Sequence, residues 1–330
     1  MTRSDGCSAT IPRREPDVPP RGLRGRQGNN SPRSLGPVLA FAAAGLAAAF
    51  VVGRLAERPR DPSDESLPFA VRRTRGGAAV LAGSVLADSA VEHFRGRYHN
   101  PSMVAAPVTA AISLAASLAE PGEMRVDPRV DGHALAAAVG AAGLGFHFYN
   151  VMKRPGGFSW NNLFYAAPLG APGALLISGA LGLAARVVAQ PAGQPRTERD
   201  RGRLLGTVAA TSLLATSAEA WLLHFRGAFH NPAMLLPVTV PPAAAAMLFA
   251  AARRPTRRRT ALARKLLWTT AGLGLAGTGF HMFGVSRNMG GWNNARQNIL
   301  AGPPVPAPIG FSGLALAGLG AVDVLERGRP

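Results

Sequence analysis

The chain has 330 residues, 47% of them hydrophobic and 16% charged, with a formal net charge of +18. That length would suit two soluble domains, but the charges are confined between apolar stretches of about the 20 residues that cross a bilayer, which excludes a soluble protein. The same confinement removes the nucleic-acid reading of so basic a chain, in which Arg and Lys would line up to neutralise phosphates, and no nucleic-acid partner is expected.

Residues 1–35 are rich in Pro, Gly and Arg and are expected to be a disordered basic tail without the apolar core of a cleavable signal peptide. The sole cysteine, Cys7, sits there, so disulfides within the chain and thiolate metal sites are excluded. A lipidated cysteine would need an apolar run before it, and Ser4-Asp5-Gly6 is not one. Nine membrane spans are expected next, over 36–53, 77–94, 102–119, 132–151, 167–189, 204–224, 233–252, 262–284 and 304–324. The fold class is therefore an all-α integral membrane protein whose partner is the lipid bilayer.

Arg and Lys crowd into the loops after odd-numbered spans, with Arg54, Arg72, Arg186, Arg199, Arg253 and Arg257 among them. The loops after even-numbered spans carry far fewer. The positive-inside rule then puts the odd loops and the C-terminus in the cytoplasm of a bacterium, with the protein in the inner membrane. The Arg-rich tail disagrees, since this topology places it outside. The first span is nonetheless read as a crossing, because Gly36-Pro37 precedes Ala167-Pro168 by 131 residues, and Ala307-Pro308 opens the last span similarly.

The even loops face outward and hold an internal repeat. His93-Phe94-Arg95-Gly96-Arg97-Tyr98-His99-Asn100-Pro101-Ser102-Met103 returns after 131 residues as His224-Phe225-Arg226-Gly227-Ala228-Phe229-His230-Asn231-Pro232-Ala233-Met234. Gly143-Leu-Gly-Phe-His147 answers to Gly277-Thr-Gly-Phe-His281, and Trp160-Asn161-Asn162 to Trp292-Asn293-Asn294. Pro107 pairs with Pro237 at an offset of 130, so the segment between Pro101 and Pro107 should not be equally regular in both copies. The expected plan is two parallel four-helix repeats, 36–166 and 167–301, followed by a closing ninth helix and short tail over 302–330. Gly140, Gly143 and Gly145, answered by Gly274, Gly277 and Gly279, should let helices approach closely in lipid.

Much of the HFRG motif reads as a helix hairpin. Arg95 and Arg226 suit a helix C-terminus, Gly96 and Gly227 the residue just beyond it, and Asn100-Pro101 and Asn231-Pro232 an N-cap with first-turn proline. Capping does not require the histidines. His93, His99, His147, His224, His230 and His281 fall at outer helix ends in three matched pairs, while His133 lies unmatched at the opposite end. Imidazole suits metal binding and proton movement near neutral pH. Deeper in the same helices Asp88 corresponds to Glu219, each seven residues before an Arg and so on its helical face; charge at that depth is costly and calls for a partner or a proton. Glu92 is present in the first copy only.

These residues admit three functions, of which the first is the expected one, because six histidines share one face and no substrate path is legible. In the first, His93, His99 and His147 with Asp88, and His224, His230 and His281 with Glu219, hold iron, zinc, copper or haem b in a redox-associated protein. Met103 and Met234 would add a soft copper ligand. Arg95, Asn100, Arg226, Asn231, Trp160, Asn161, Trp292 and Asn293 would then orient ligands or bind a cofactor, anion or head group. The second is a transporter of small molecules with Asp88 and Glu219 as proton carriers. The third is an anchor whose loop face docks an extracytoplasmic protein partner.

Overall fold

A computed structural model of the chain describes residues 66–119, 131–189 and 195–328. The basic tail and the first expected span, 36–53, lie outside the described residues.

Among the described residues the chain is all helical, without a strand. α1 (Ser66–Arg95), a 3-10 turn (Pro101–Val104), α2 (Ala105–Leu118), α3 (Gly132–Met152), the short α4 (Trp160–Tyr165) and α5 (Gly170–Ala189) are followed by a comparable series. That series is α6 (Pro195–Arg226), a 3-10 turn (Pro232–Leu235), α7 (Leu236–Arg253), α8 (Arg257–Ser286), the short α9 (Ala295–Ala301) and α10 (Ile309–Arg327). Five helices are long and apolar enough to cross a membrane: Pro101–Leu118, Gly132–Met152, Gly170–Ala189, Pro232–Arg253 and Ile309–Arg327. They make the chain compatible with a multi-pass membrane protein. α1, α6 and α8 are longer, at 30, 32 and 30 residues. Each starts in an Arg-bearing segment that was expected to be loop, so Arg72, Arg73, Arg199 and Arg257 lie on helices.

α1, α5, α6 and α10 form a ring, with α1 and α6 each packed on both α5 and α10 and so placed across from one another. The hairpin α2–α3 packs on α1 and α5, and α7–α8 on α6 and α10. The last helix, expected to close the bundle, lies in its middle: every residue from Ile309 to Val322 is buried. A helix apolar all round belongs in such a place, and its small residues admit close neighbours. A Cβ on Gly77 of α1 would strike the Gly313 carbonyl and lie 2.9 Å from the Ala317 nitrogen. Gly140 against Leu176, and Gly274 against Ser312, do the same between α3 and α5 and between α8 and α10. Gly145 and Gly279, grouped with them by sequence, meet nothing within 4 Å. Gly77→Ala should therefore lower thermal stability in detergent by about 1–3 kcal/mol through overpacking. Gly83→Ala in the same helix, where nothing lies within 4 Å, should be neutral or slightly stabilising.

Hydroxyls add polar ties across the apolar interfaces. Ser178 donates to the Ala78 carbonyl at 3.3 Å and lies 3.1 Å from Ser113 Oγ, while Ser312 donates to the Ala271 carbonyl at 2.6 Å.

Away from the HFRG motifs, the opposite end is tied by ions. Asp323 accepts from Arg73 at 2.6 Å and from Arg264 at 2.8 Å, and Arg264 also reaches Glu326 at 2.8 Å, so α1, α8 and α10 are joined. Phe69 and Trp268 flank the Arg73 guanidinium, at 4.0 and 5.7 Å from their ring centroids. Asp131 caps α3 and also pairs with Arg186 of α5.

Candidate functional site

The motif end is built from hairpin turns that recur in detail. At the end of α1 the Arg97 N–H donates to the Phe94 carbonyl and the Tyr98 N–H to the His93 carbonyl, both at 2.9 Å. Ala228 and Phe229 do the same to Phe225 and His224 at the end of α6. This is a Schellman closure. Its left-handed residues are Arg97 and Tyr98 (φ 58° and 46°) and Ala228 and Phe229 (57° and 45°), rather than the glycines the sequence pointed to. Gly96 and Gly227 sit one position earlier and serve a different end: a Cβ there would meet the Met103 methyl at 3.2 Å and the Met234 methyl at 3.4 Å. The methionines thus fold over the helix ends.

Asn100 accepts from the Ser102 N–H at 3.0 Å and Asn231 from the Ala233 N–H at 2.9 Å, the expected N-caps. The next residues form a 3-10 turn and then α-helix in both copies, so the one-residue slip does not make one copy less regular. Pro107 and Pro237 simply occupy the third and second positions of α2 and α7, within a first turn whose N–H groups have no helical partner anyway.

Each of the six motif-end histidines turns its Nδ1 to a backbone carbonyl. His93 bonds Met103 O at 2.5 Å and His224 bonds Met234 O at 2.9 Å, tying the end of one helix to the start of the next. His99 and His230 reach Gly96 O and Gly227 O, both at 3.1 Å. His147 bonds Pro168 O, and His281 bonds Pro304 O at 2.7 Å, fastening α3 and α8 to the segments entering α5 and α10. A carbonyl can only accept, so every Nδ1 carries the proton and every neutral Nε2 is an acceptor. No three His, Cys, Asp or Glu side chains come together in a group able to hold a metal among the described residues. The expected ligand sets are therefore not assembled. Replacing His93 and His224 by Asn, whose amide nitrogen can stand in for Nδ1–H, is expected to preserve thermal stability, whereas Ala at both should lower it by about 1 kcal/mol per lost hydrogen bond. Equal losses for Asn and Ala would show that the ring, not the staple, is what matters there.

The short helices α4 and α9 complete this end. Asn162, buried, donates to the Pro155 and Gly157 carbonyls at 3.1 and 2.7 Å. Its counterpart in this role is Asn298, which donates to Met289 and Gly291 at 3.2 and 2.8 Å, and not Asn294 as the shared Trp-Asn-Asn spelling implied. The second copy is two residues longer between its glycines and this Asn, and the 3-10 turn Gly291–Asn294 takes up the difference. Trp160, Asn161, Trp292 and Asn293 are exposed. The motif arginines cross between the halves: Arg95 donates to Leu300 O of α9 at 3.4 Å and Arg226 to Phe164 O of α4 at 2.8 Å. Carbonyls in the last turn of a helix lack helical partners, and a cation there also meets the negative end of the helix dipole.

Asp88 and Glu219 lie on α1 and α6, opposite members of the ring. Glu219 packs against the start of α5, where a Cβ on Gly170 would meet Glu219 Cγ at 2.7 Å. Neither acid forms an ion pair with the Arg seven residues on; Arg95 instead pairs with Glu92 at 2.5 Å. The arrangement brings two carboxyls from different segments of the chain into one interior, beneath paired imidazoles: His93 with His147, and His224 with His281, are within electrostatic reach. The chain matches no protein-family model, no curated protein and no solved structure.

Proposed function

We propose that the chain is a nine-span bacterial inner-membrane protein of two parallel four-helix repeats and a ninth helix, with its motif end outward, that couples proton movement to transport of a small molecule. The observation that carries this reading is the placement of two acids, Asp88 and Glu219, on α1 and α6, opposite members of the helix ring, with no Arg or Lys ion-paired to either among the described residues. Carboxyls in a bundle interior are costly to charge, and a proton is what settles that cost when no cation does. The imidazole pairs near them are suited to hand protons on from the aqueous face.

The test uses proteoliposomes loaded with a pH-sensitive dye and challenged with a panel of small organic solutes. At least one solute should drive proton movement through the wild type and none through Asp88→Asn or Glu219→Gln. No solute-dependent proton flux in the wild type, or full flux in both variants, would sink the reading.

One observation favours a second reading, a metal- or haem-associated protein. Nδ1 bonded to a carbonyl with Nε2 left as the acceptor is how ligating histidines are commonly held. Metal content and visible absorption of the purified protein decide it: stoichiometric iron, zinc or copper, or a haem band, would support it, and none after incubation would end it.

A further inference from the structure

The two halves share their hairpin backbone but not the space beside it. Aligning Asn162 with Asn298 sets Trp160 against Arg296, Asn161 against Gln297, Phe164 against Leu300 and Tyr165 against Ala301. The HFRG alignment sets Ala228 against Arg97, and Trp221 against Ala90. In the second hairpin the space between the helix end and α4 is filled by rings. Trp221 stacks on Phe225 at 5.2 Å and 13°, Phe164 on Phe225 at 5.8 Å, and Trp160 on Phe164 at 6.0 Å. In the first hairpin the corresponding space is an open pocket of about 660 Å³ lined by Phe94, Arg95, Arg97, Tyr98, Arg296 and Gln297.

Three guanidinium groups therefore border a cavity whose twin is plugged with hydrocarbon. Only one carboxylate, Glu92, offsets them, through its bond to Arg95. Arg95 spends one further donor on Leu300 O. The side chains of Arg97 and Arg296 have no hydrogen bond or ion pair among the described residues, and the Arg296 guanidinium rests 5.7 Å from the Phe94 ring centroid. Planar guanidinium forks suit the oxygens of a phosphate, and the Gln297 amide supplies a further donor, while the Tyr98 hydroxyl is given to the Ala90 carbonyl at 3.4 Å. The pocket lies where helix ends emerge, the depth of lipid head groups if the chain spans a bilayer.

We infer that this pocket is a phosphate site, taking either the phosphodiester of an anionic lipid head group or free phosphate, and that the second half has lost the site to aromatic packing. Arg97 and Arg296 are its principal ligands because their guanidinium N–H groups make no hydrogen bond or ion pair among the described residues, and Arg95 contributes while bracing α9.

The experiment uses full-length protein and the variant Arg97→Ala/Arg296→Trp, which writes the second half's residues into the first. Native mass spectrometry from mixed phosphatidylglycerol and phosphatidylcholine nanodiscs counts retained lipid, and thermal shift with inorganic phosphate, with sulfate and chloride as controls, reads the free anion. Preferential retention of phosphatidylglycerol, falling about tenfold or more in the variant as two charge-assisted contacts are lost, supports the site and names the head group. A phosphate-specific shift without lipid preference, lost in the variant, supports it and names the free ion. Arg97→Gln/Arg296→Gln should behave like the first variant while keeping side-chain size, which guards against a folding defect. The inference is overturned if neither phosphatidylglycerol nor phosphate is preferred, or if either preference survives in both variants.

Discussion

Replacing Asp323 by Leu is expected to lower the stability of the protein by about 3–5 kcal/mol, because it removes the carboxylate that Arg73 and Arg264 share in a buried charge cluster. The Arg73 side chain is only 4% exposed and its guanidinium is 2.6 Å from Asp323, while Arg264 retains Glu326 at 2.8 Å. The loss is therefore shared by the ties of α10 to α1 and to α8. The charge account makes a second demand: Arg73→Met/Asp323→Leu should recover much of the loss, since apolar groups can replace a buried pair at little cost where half a pair cannot be tolerated. Thermal unfolding in detergent reads both. A double variant no better than Asp323→Leu alone would mean that packing, not charge, holds this end together.

Asp88→Asn and Glu219→Gln are expected to abolish solute-driven proton flux while leaving thermal stability close to wild type, since neither acid is half of an ion pair among the described residues. A structural role predicts the reverse order of effects. Gly170→Val supplies an independent check that changes no charge. A Cβ there would meet Glu219 Cγ at 2.7 Å, so the carboxyl must move. Flux should fall in this variant too, and Gly170→Val with wild-type flux would show that the position of Glu219 is immaterial. Asp88 is one methylene shorter, so exchanging the two acids, Asp88→Glu with Glu219→Asp, should impair flux even though both carboxyls survive.

The capping logic of the HFRG hairpins was legible where it rests on local chemistry. Asn100 and Asn231 cap the turns that follow, and Pro101 and Pro232 open them, because an Asn oxygen and a prolyl ring act within two or three residues of themselves. The glycines misled for a reason equally local. Gly at a helix end usually signals a left-handed residue, but Gly96 and Gly227 are small to admit Met103 and Met234, and Arg97 and Ala228 take the positive φ. Nothing in the spelling Trp-Asn-Asn announces that Asn298, not Asn294, repeats the work of Asn162. Only the carbonyls each amide reaches identify the pair.

By itself the sequence determined that the chain is helical, that its charges gather at helix ends, and that one polar constellation occurs twice, since composition and hydropathy act along the chain and duplication is written in the letters. Tertiary structure decided what those letters touch. It set Asp88 opposite Glu219 because α1 and α6 are diagonal in a ring, a relation 131 residues apart that no periodicity encodes. It turned six histidines to backbone carbonyls instead of to one another, because helix ends must satisfy polar groups that the next segment alone can supply. And it left the same hairpin open in one half and filled in the other, a difference that resides in the side chains of helices far apart in sequence.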